Sequence, residues 1–132
     1  MKTAVKPTLR AAQVVAFVPT KNFKPARRFY ETTLGLSLIA KDKFALMFVV
    51  GDTRIRIAKV AEFEPAPFTI LGWRVPDAKA VVNALTKRGV VFERFHGMQQ
   101  DESGIWIAPS GARVAWFKDP DGNMLSVSQQ IG

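Results

Sequence analysis

The sequence predicts an α+β fold made of two tandem βαβββ modules, and three observations carry that prediction. The order of strand and helix signals that runs from Gln13 to Val60 recurs from Phe68 to Gln129. A glycine closes the amphipathic helical stretch of each half, Gly35 in the first and Gly89 in the second. The equivalent anchors lie 57 residues apart for Val18 and Val75 and 54 apart for Gly35 and Gly89, a loose period that suits two diverged copies better than a many-unit solenoid.

The elements follow in order. Gln13–Val18 is a short β-rich run ending at Pro19. Lys24–Thr33 has Ala26, Phe29, Tyr30 and Leu34 at helical spacing, with Asn22 as a cap and Pro25 tolerated in the first turn. Leu36–Ala40, Phe44–Val50 and Arg54–Val60 read as three strands, the last two joined by the tight turn Gly51-Asp52. The proline-containing connector Glu62–Pro67 separates module one, about 11–60, from module two, about 68–130, within a single domain spanning 1–132. In module two, Phe68–Val75 is a strand, and Asp77 caps a helix whose apolar positions are Ala78, Val81, Val82 and Leu85. Val90–Phe95, Ile105–Ala108, Arg113–Lys118 and Met124–Gln129 are the remaining predicted strands, broken by the polar loop 98–103 and by turns at Pro109-Ser110-Gly111 and Asp119–Asn123.

At 132 residues the chain is one domain's worth, long enough to bury its own core. Apolar residues at 48% and charged residues at 23% exclude the disordered and fibrous classes. Without cysteine there is no disulfide framework, thiolate metal site or cysteine nucleophile. No stretch approaches a membrane span and the N-terminus lacks a secretory h-region, so the expected compartment is the cytoplasm, with no membrane partner. The net charge of +8 is lopsided, with twelve basic against five acidic residues in 1–66 and seven against six in 67–132. Such a field attracts any anion without choosing among them. The densest basic cluster, Lys21, Lys24, Arg27 and Arg28, comes with no nucleic-acid motif or stacking signature, so nucleic acid is not an expected partner.

Three segments, PARRFYETTLGLSL, LGWRVPDAKAVVNALTKRGVVF and VAWFKDPDGNMLSVSQ, are similar to the vicinal oxygen chelate superfamily. That superfamily takes in glyoxalase I, bleomycin-resistance proteins, fosfomycin-resistance enzymes and extradiol dioxygenases. The resemblance covers roughly residues 11–130, and its most specific pieces are Phe29-Tyr30 followed by Leu34-Gly35-Leu36, and the turn Asp119–Asn123. It implies that each module curls into half of an open barrel, with helices outside and a pocket inside the sheet. In metal-dependent relatives four strand positions hold a divalent ion, and those positions carry over to Gln13, Arg56, Ile70 and Ser126. Only Gln13 is an ordinary donor, whereas a hard or borderline cation needs several oxygen or imidazole ligands. The expectation is therefore no metal and no cofactor.

Alternation places Leu125 and Val127 toward the helices and Met124, Ser126 and Ser128 toward the pocket; in the matching strand Ile55 and Ile57 pack outward while Arg54 and Arg56 point in. A solvent-facing polar edge is the competing reading of these arginines. If Gln13 faces the pocket, so do Val15 and Phe17, and the equivalent strand supplies Ile70, Gly72 and Arg74. Trp106 and Trp116 are further candidate walls. The lone His96, before the polar loop, is a weak candidate acid–base group. Asp119 and Asp121 read as turn formers rather than a carboxylate pair, and no nucleophile elbow or phosphate loop is present.

The leading expectation is a metal-independent small-molecule binding protein, whose ligand site comprises Gln13, Val15, Phe17, Arg56, Ile70, Arg74 and Ser126 and favours an anionic or oxygen-rich apolar ligand. A metal-dependent lyase, isomerase or dioxygenase and a basic interaction module are the alternatives. Open sheet edges, together with the habits of the resembled family, predict a homodimer.

Overall fold

Each helix begins at a side-chain cap that the sequence supplies. In the computed structural model, which describes residues 7–131, Asn22 Oδ1 accepts from Lys24 N at 3.2 Å and starts α1 (Phe23–Arg27). From Arg28 to Thr33 the helix widens into a π-helical segment, so that Leu34 N donates to Phe29 O at 2.8 Å, before Gly35 turns the chain at φ 77°. In α2 (Ala78–Lys87), Asp77 Oδ1 accepts from Ala80 N at 3.1 Å and the side chain of Gln129 accepts from Ala78 N at 2.8 Å.

The strands form two four-stranded sheets. β1 (Val15–Thr20), β2 (Ser37–Lys41), β3 (Ala45–Val50) and β4 (Thr53–Lys59) lie in the order β1-β4-β3-β2. β5 (Thr69–Arg74), β6 (Trp106–Ile107), β7 (Arg113–Lys118) and β8 (Met124–Gln129) lie in the order β5-β8-β7-β6. In each sheet the first strand runs parallel to the last, and the remaining pairs are antiparallel. Neither sheet closes into a barrel. The helix-facing sides of both sheets merge into one core, in which Val18, Phe48, Ile55 and Ile57 of the first meet Ala115, Phe117, Leu125 and Val127 of the second. Tyr30, Val82 and Leu85 of the helical segments fill the space between them. Phe29 reaches across to Phe117, with ring centroids 6.2 Å apart.

Polar groups tie the two halves together at one end. Asp119 accepts from Tyr30 Oη at 2.6 Å and, within its own turn, from the backbone N–H groups of Asp121 and Asn123 at 2.9 and 3.0 Å. Asn123 Nδ2 donates to Asp119 at 2.8 Å and to the carbonyl of Pro19 at 2.9 Å. Asp121 accepts from Thr20 Oγ1 at 2.5 Å and Lys21 N at 2.9 Å. The turn reading of Asp119 and Asp121 holds, and the same side chains also clamp β8's entry to the end of β1. Burial and the neighbouring Asp119 carboxylate push the Tyr30 phenol upward, so it stays a donor at any ordinary pH.

Three strand expectations are corrected. Val90–Phe95 is not a strand: it makes one bridge, Phe92 to Phe117, with Glu93 N donating to Trp116 O at 2.8 Å. Ile105–Ala108 shortens to the two residues of β6, which pairs with the other end of β7. The edge of the second sheet is thus split between two short segments, because the excursion between them is held by the Gln100 side chain. Its amide accepts from Phe95 N and donates to the carbonyls of Glu93 and Gly104, taking backbone groups that a continuous ladder would use. The first strand also begins later than expected, at Val15, and runs through Pro19 to Thr20.

Candidate ligand-binding site

The sheet faces turned away from the core carry most of the residues that the sequence singles out. On the first sheet the register sets Val15 beside Arg54 and Phe17 beside Arg56, while β3 sets Val49 beside Arg54 and Met47 beside Arg56. Two rows result, Val15–Arg54–Val49 and Phe17–Arg56–Met47. Ile55 and Ile57 are buried on the opposite side, so both arginines lie on the face that alternation assigns them. Phe17 is 66% exposed and Val15 39% exposed, whereas Arg54 and Arg56 are half-buried along their stems. Among the described residues neither guanidinium forms an ion pair or a side-chain hydrogen bond. The acid whose field reaches Arg56 is Asp42. Its carboxyl is held below the usual range chiefly by the N–H groups of Phe44 and Ala45, with Arg56 contributing less.

On the second sheet the corresponding face carries the rows Gly72–Ser126–Trp116 and Arg74–Ser128–Val114, with Trp106 beside Val114. Trp106 and Trp116 lie 6.0 Å apart between ring centroids, and Phe95 meets Trp116 edge-on at 5.3 Å. A Cβ at Gly72 would fall 2.6 Å from Ser126 Oγ, so the hydroxyl in its present rotamer lies over the bare backbone of β5.

The structure thus groups Val15, Phe17 and Arg56 on one sheet and Arg74 and Ser126 on the other. Two predicted site residues fall elsewhere. Gln13 precedes β1 and is exposed, and Ile70 sits at the irregularity between Thr69 and Leu71, where it packs against the core. The positions that would hold a metal in the resembled family therefore present one amide outside the strand, one guanidinium, one core-packed aliphatic side chain and one hydroxyl. This set does not fit a divalent ion. Among the described residues no group of three His, Asp or Glu side chains is placed to hold one. His96 is exposed in the turn that follows Phe95.

Met47 and Val49 were not legible as site residues, because ALMFVV is apolar throughout and shows no alternation. The Phe95–Trp116 contact depends on the Gln100 clip, for which the sequence carries no periodic signal. Two further spaces lie away from these rows. One is a groove of about 850 Å³ beside β6 and the start of α2, reaching Trp106, Arg113 and Lys79. The other is a cavity of about 280 Å³ on the helix side. Neither takes in Val15, Phe17 or Arg56.

A sequence model of the Glyoxalase/Bleomycin resistance protein/Dioxygenase superfamily matches residues 10–127. No protein of curated function matches the chain in sequence. Among solved structures, TnmS3, an antibiotic binding protein from Streptomyces sp. CB03234, is 26% identical with a TM-score of 0.70, covering 94% of this chain and 100% of that one. The bleomycin resistance determinant encoded on transposon Tn5 is 20% identical with a TM-score of 0.71, covering 91% and 98%. Lactoylglutathione lyase from Agrobacterium tumefaciens is 14% identical with a TM-score of 0.70, covering 90% and 93%. The two last likenesses are of fold alone.

Proposed function

We propose, from the premise that this chain belongs to the Glyoxalase/Bleomycin resistance protein/Dioxygenase superfamily, that it is a metal-independent small-molecule binding protein whose ligand is apolar with an anionic or oxygen-rich end. The observation that carries this reading is the pair of rows on the first sheet, in which Arg54 and Arg56 stand among Val15, Phe17, Met47 and Val49. A guanidinium on a half-buried apolar face recognises a carboxylate or phenolate through two parallel hydrogen bonds, while the neighbouring side chains take the hydrocarbon body. The likeness to an antibiotic binding protein supports binding rather than turnover. The test is a titration with aromatic carboxylates and their neutral amides, in which each acid is expected to bind more tightly than its amide. Equal affinity across all pairs would remove the electrostatic basis of the proposal.

Two further results are expected. Metal analysis of the purified protein should find well under about one equivalent of zinc, nickel, manganese or iron per chain, and chelator should leave the melting temperature unchanged, because the site's donors do not suit a cation. Stoichiometric metal that chelation removes with loss of stability would overturn this.

The open apolar face also supports a homodimer. Phe17, at 66% exposure, and Val15 are exposed apolar side chains on this face, of the kind that partner chains cover. Light scattering at tens of micromolar should give twice the chain mass, and Phe17→Asp should halve it. A wild-type monomer at that concentration refutes the dimer.

A further inference from the structure

Where the two halves meet, on the side of the sheets opposite the arginine rows, lies the cavity of about 280 Å³. Leu34 and Leu36 wall it from the turn after the first helical segment, and Trp73, Phe117 and Val127 wall it from the second sheet. Val81, Ala84 and Leu85 of α2 form its remaining wall, and it opens to solvent beside Arg88. No acidic side chain lines it, and its one charged lining residue is Arg88. That guanidinium is exposed, forms no ion pair among the described residues, and donates to a single group, the carbonyl of Thr33, at 3.2 Å. Trp73 contributes an indole N–H that has no hydrogen-bond acceptor among the described residues.

An apolar cavity approaching the size range of ligand sites, with one cation and no carboxylate in its lining, selects a small amphiphile carrying one negative charge. We propose that this cavity is a second binding site, distinct from the arginine rows of the first sheet, and that it takes an unbranched alkyl carboxylate with its chain among Leu34, Trp73, Val81 and Leu85 and its carboxylate on Arg88. Charge complementarity favours this occupant over a neutral lipid, since Arg88 could exchange one uncharged carbonyl partner for a charge-assisted pair. A medium-length acyl chain suits an apolar space of about 280 Å³. The proposal does not depend on the reading of the open face.

Decanoate and decanol, titrated by calorimetry and followed by the amide and indole resonances of ¹⁵N-labelled protein, test it. Decanoate is expected to bind at this site and to shift the indole resonance of Trp73, assigned with Trp73→Phe, any binding at the arginine rows being read separately from shifts along β1 and β4. Arg88→Gln should weaken decanoate by about tenfold or more while changing decanol little. Ala84→Phe, which fills the cavity, should abolish both interactions, and Val81→Phe serves as a second filling variant should the first fail to fold. Arg56→Met should leave decanoate binding at this site unchanged, so failure here and failure of the open-face reading are distinguishable. No binding to wild type, retention of affinity in a folded filling variant, or resonance shifts confined to β1 and β4 would each overturn the second site.

Discussion

Replacing Asp119 with alanine is expected to cost about 3 kcal/mol or more of folding stability and to lower the melting temperature by roughly 10 °C. The carboxylate is almost fully buried and accepts from four donors: the Tyr30 hydroxyl, the N–H groups of Asp121 and Asn123, and the Asn123 amide. Alanine leaves all four without that acceptor, and the buried ones among them, the Tyr30 hydroxyl and the Asn123 groups, are shielded from water. The loss extends beyond the turn, because Asn123 also holds the Pro19 carbonyl and Asp121 holds Thr20 and Lys21 at the end of β1. Tyr30→Phe removes one donor and leaves the ring in place beside Phe29 and Phe48, so a smaller cost of about 1 kcal/mol is expected. Chemical and thermal denaturation of both variants measures the ordering. An Asp119→Ala protein that melts within about 2 °C of wild type would show that the turn does not join the halves.

The fate of this turn shows what the sequence made legible. That Asp119 and Asp121 serve backbone geometry rather than an ion follows from local chemistry, an aspartate, a proline and a glycine at fixed offsets. That Tyr30 donates to Asp119 involves residues 89 positions apart, and no local pattern announces it. The same division runs through the fold. Helix starts at Asn22 and Asp77 and the helix stop at Gly35 are written in single residues with one physical role each. β4 and β8 alternate cleanly, so the faces of Arg54, Arg56, Ser126 and Ser128 could be assigned from their buried neighbours. Val90–Phe95 misled because its β-rich composition describes what the segment can do, whereas the Gln100 side chain decides what it pairs with. Ile70 carries over from the resembled family, and Gly72 and Arg74 are counted from it by alternation, a count that the irregularity between Thr69 and Leu71 interrupts.

The two faces differ in how they depart from a metal centre. On the first sheet, the Arg56 guanidinium stands at one of the positions where the resembled family holds a cation. On the second, Gly72 yields its space to the Ser126 hydroxyl beside an aromatic wall of Trp106 and Trp116. Both faces set apolar side chains next to a few donors.

Arg56→Met is the substitution expected to affect binding most. Methionine retains the packing of the arginine stem between Phe17 and Met47 while removing the fork that would engage a carboxylate. Loss of a charge-assisted hydrogen bond in a half-buried setting costs about 1.5–3 kcal/mol, roughly tenfold to a hundredfold in affinity for an aromatic carboxylate. The matching amide, which never engaged the charge, should lose much less. Arg54→Met, one row away between Val15 and Val49, should show a smaller loss, and the double variant should bind acid and amide nearly alike. Arg27→Met is the control: Arg27 pairs with Glu31 at 3.1 Å on an exposed face of the first helix, where such pairs contribute a few tenths of a kcal/mol and their removal changes only long-range attraction. Raising the salt concentration should therefore erase the Arg27 effect and leave most of the Arg56 effect, because a contact inside an apolar surface is screened less than a field across water. If all four variants bind the acid as wild type does, the arginine rows are a solvated edge of the first sheet, and the ligand must be sought along Trp106, Trp116 and Ser126 instead.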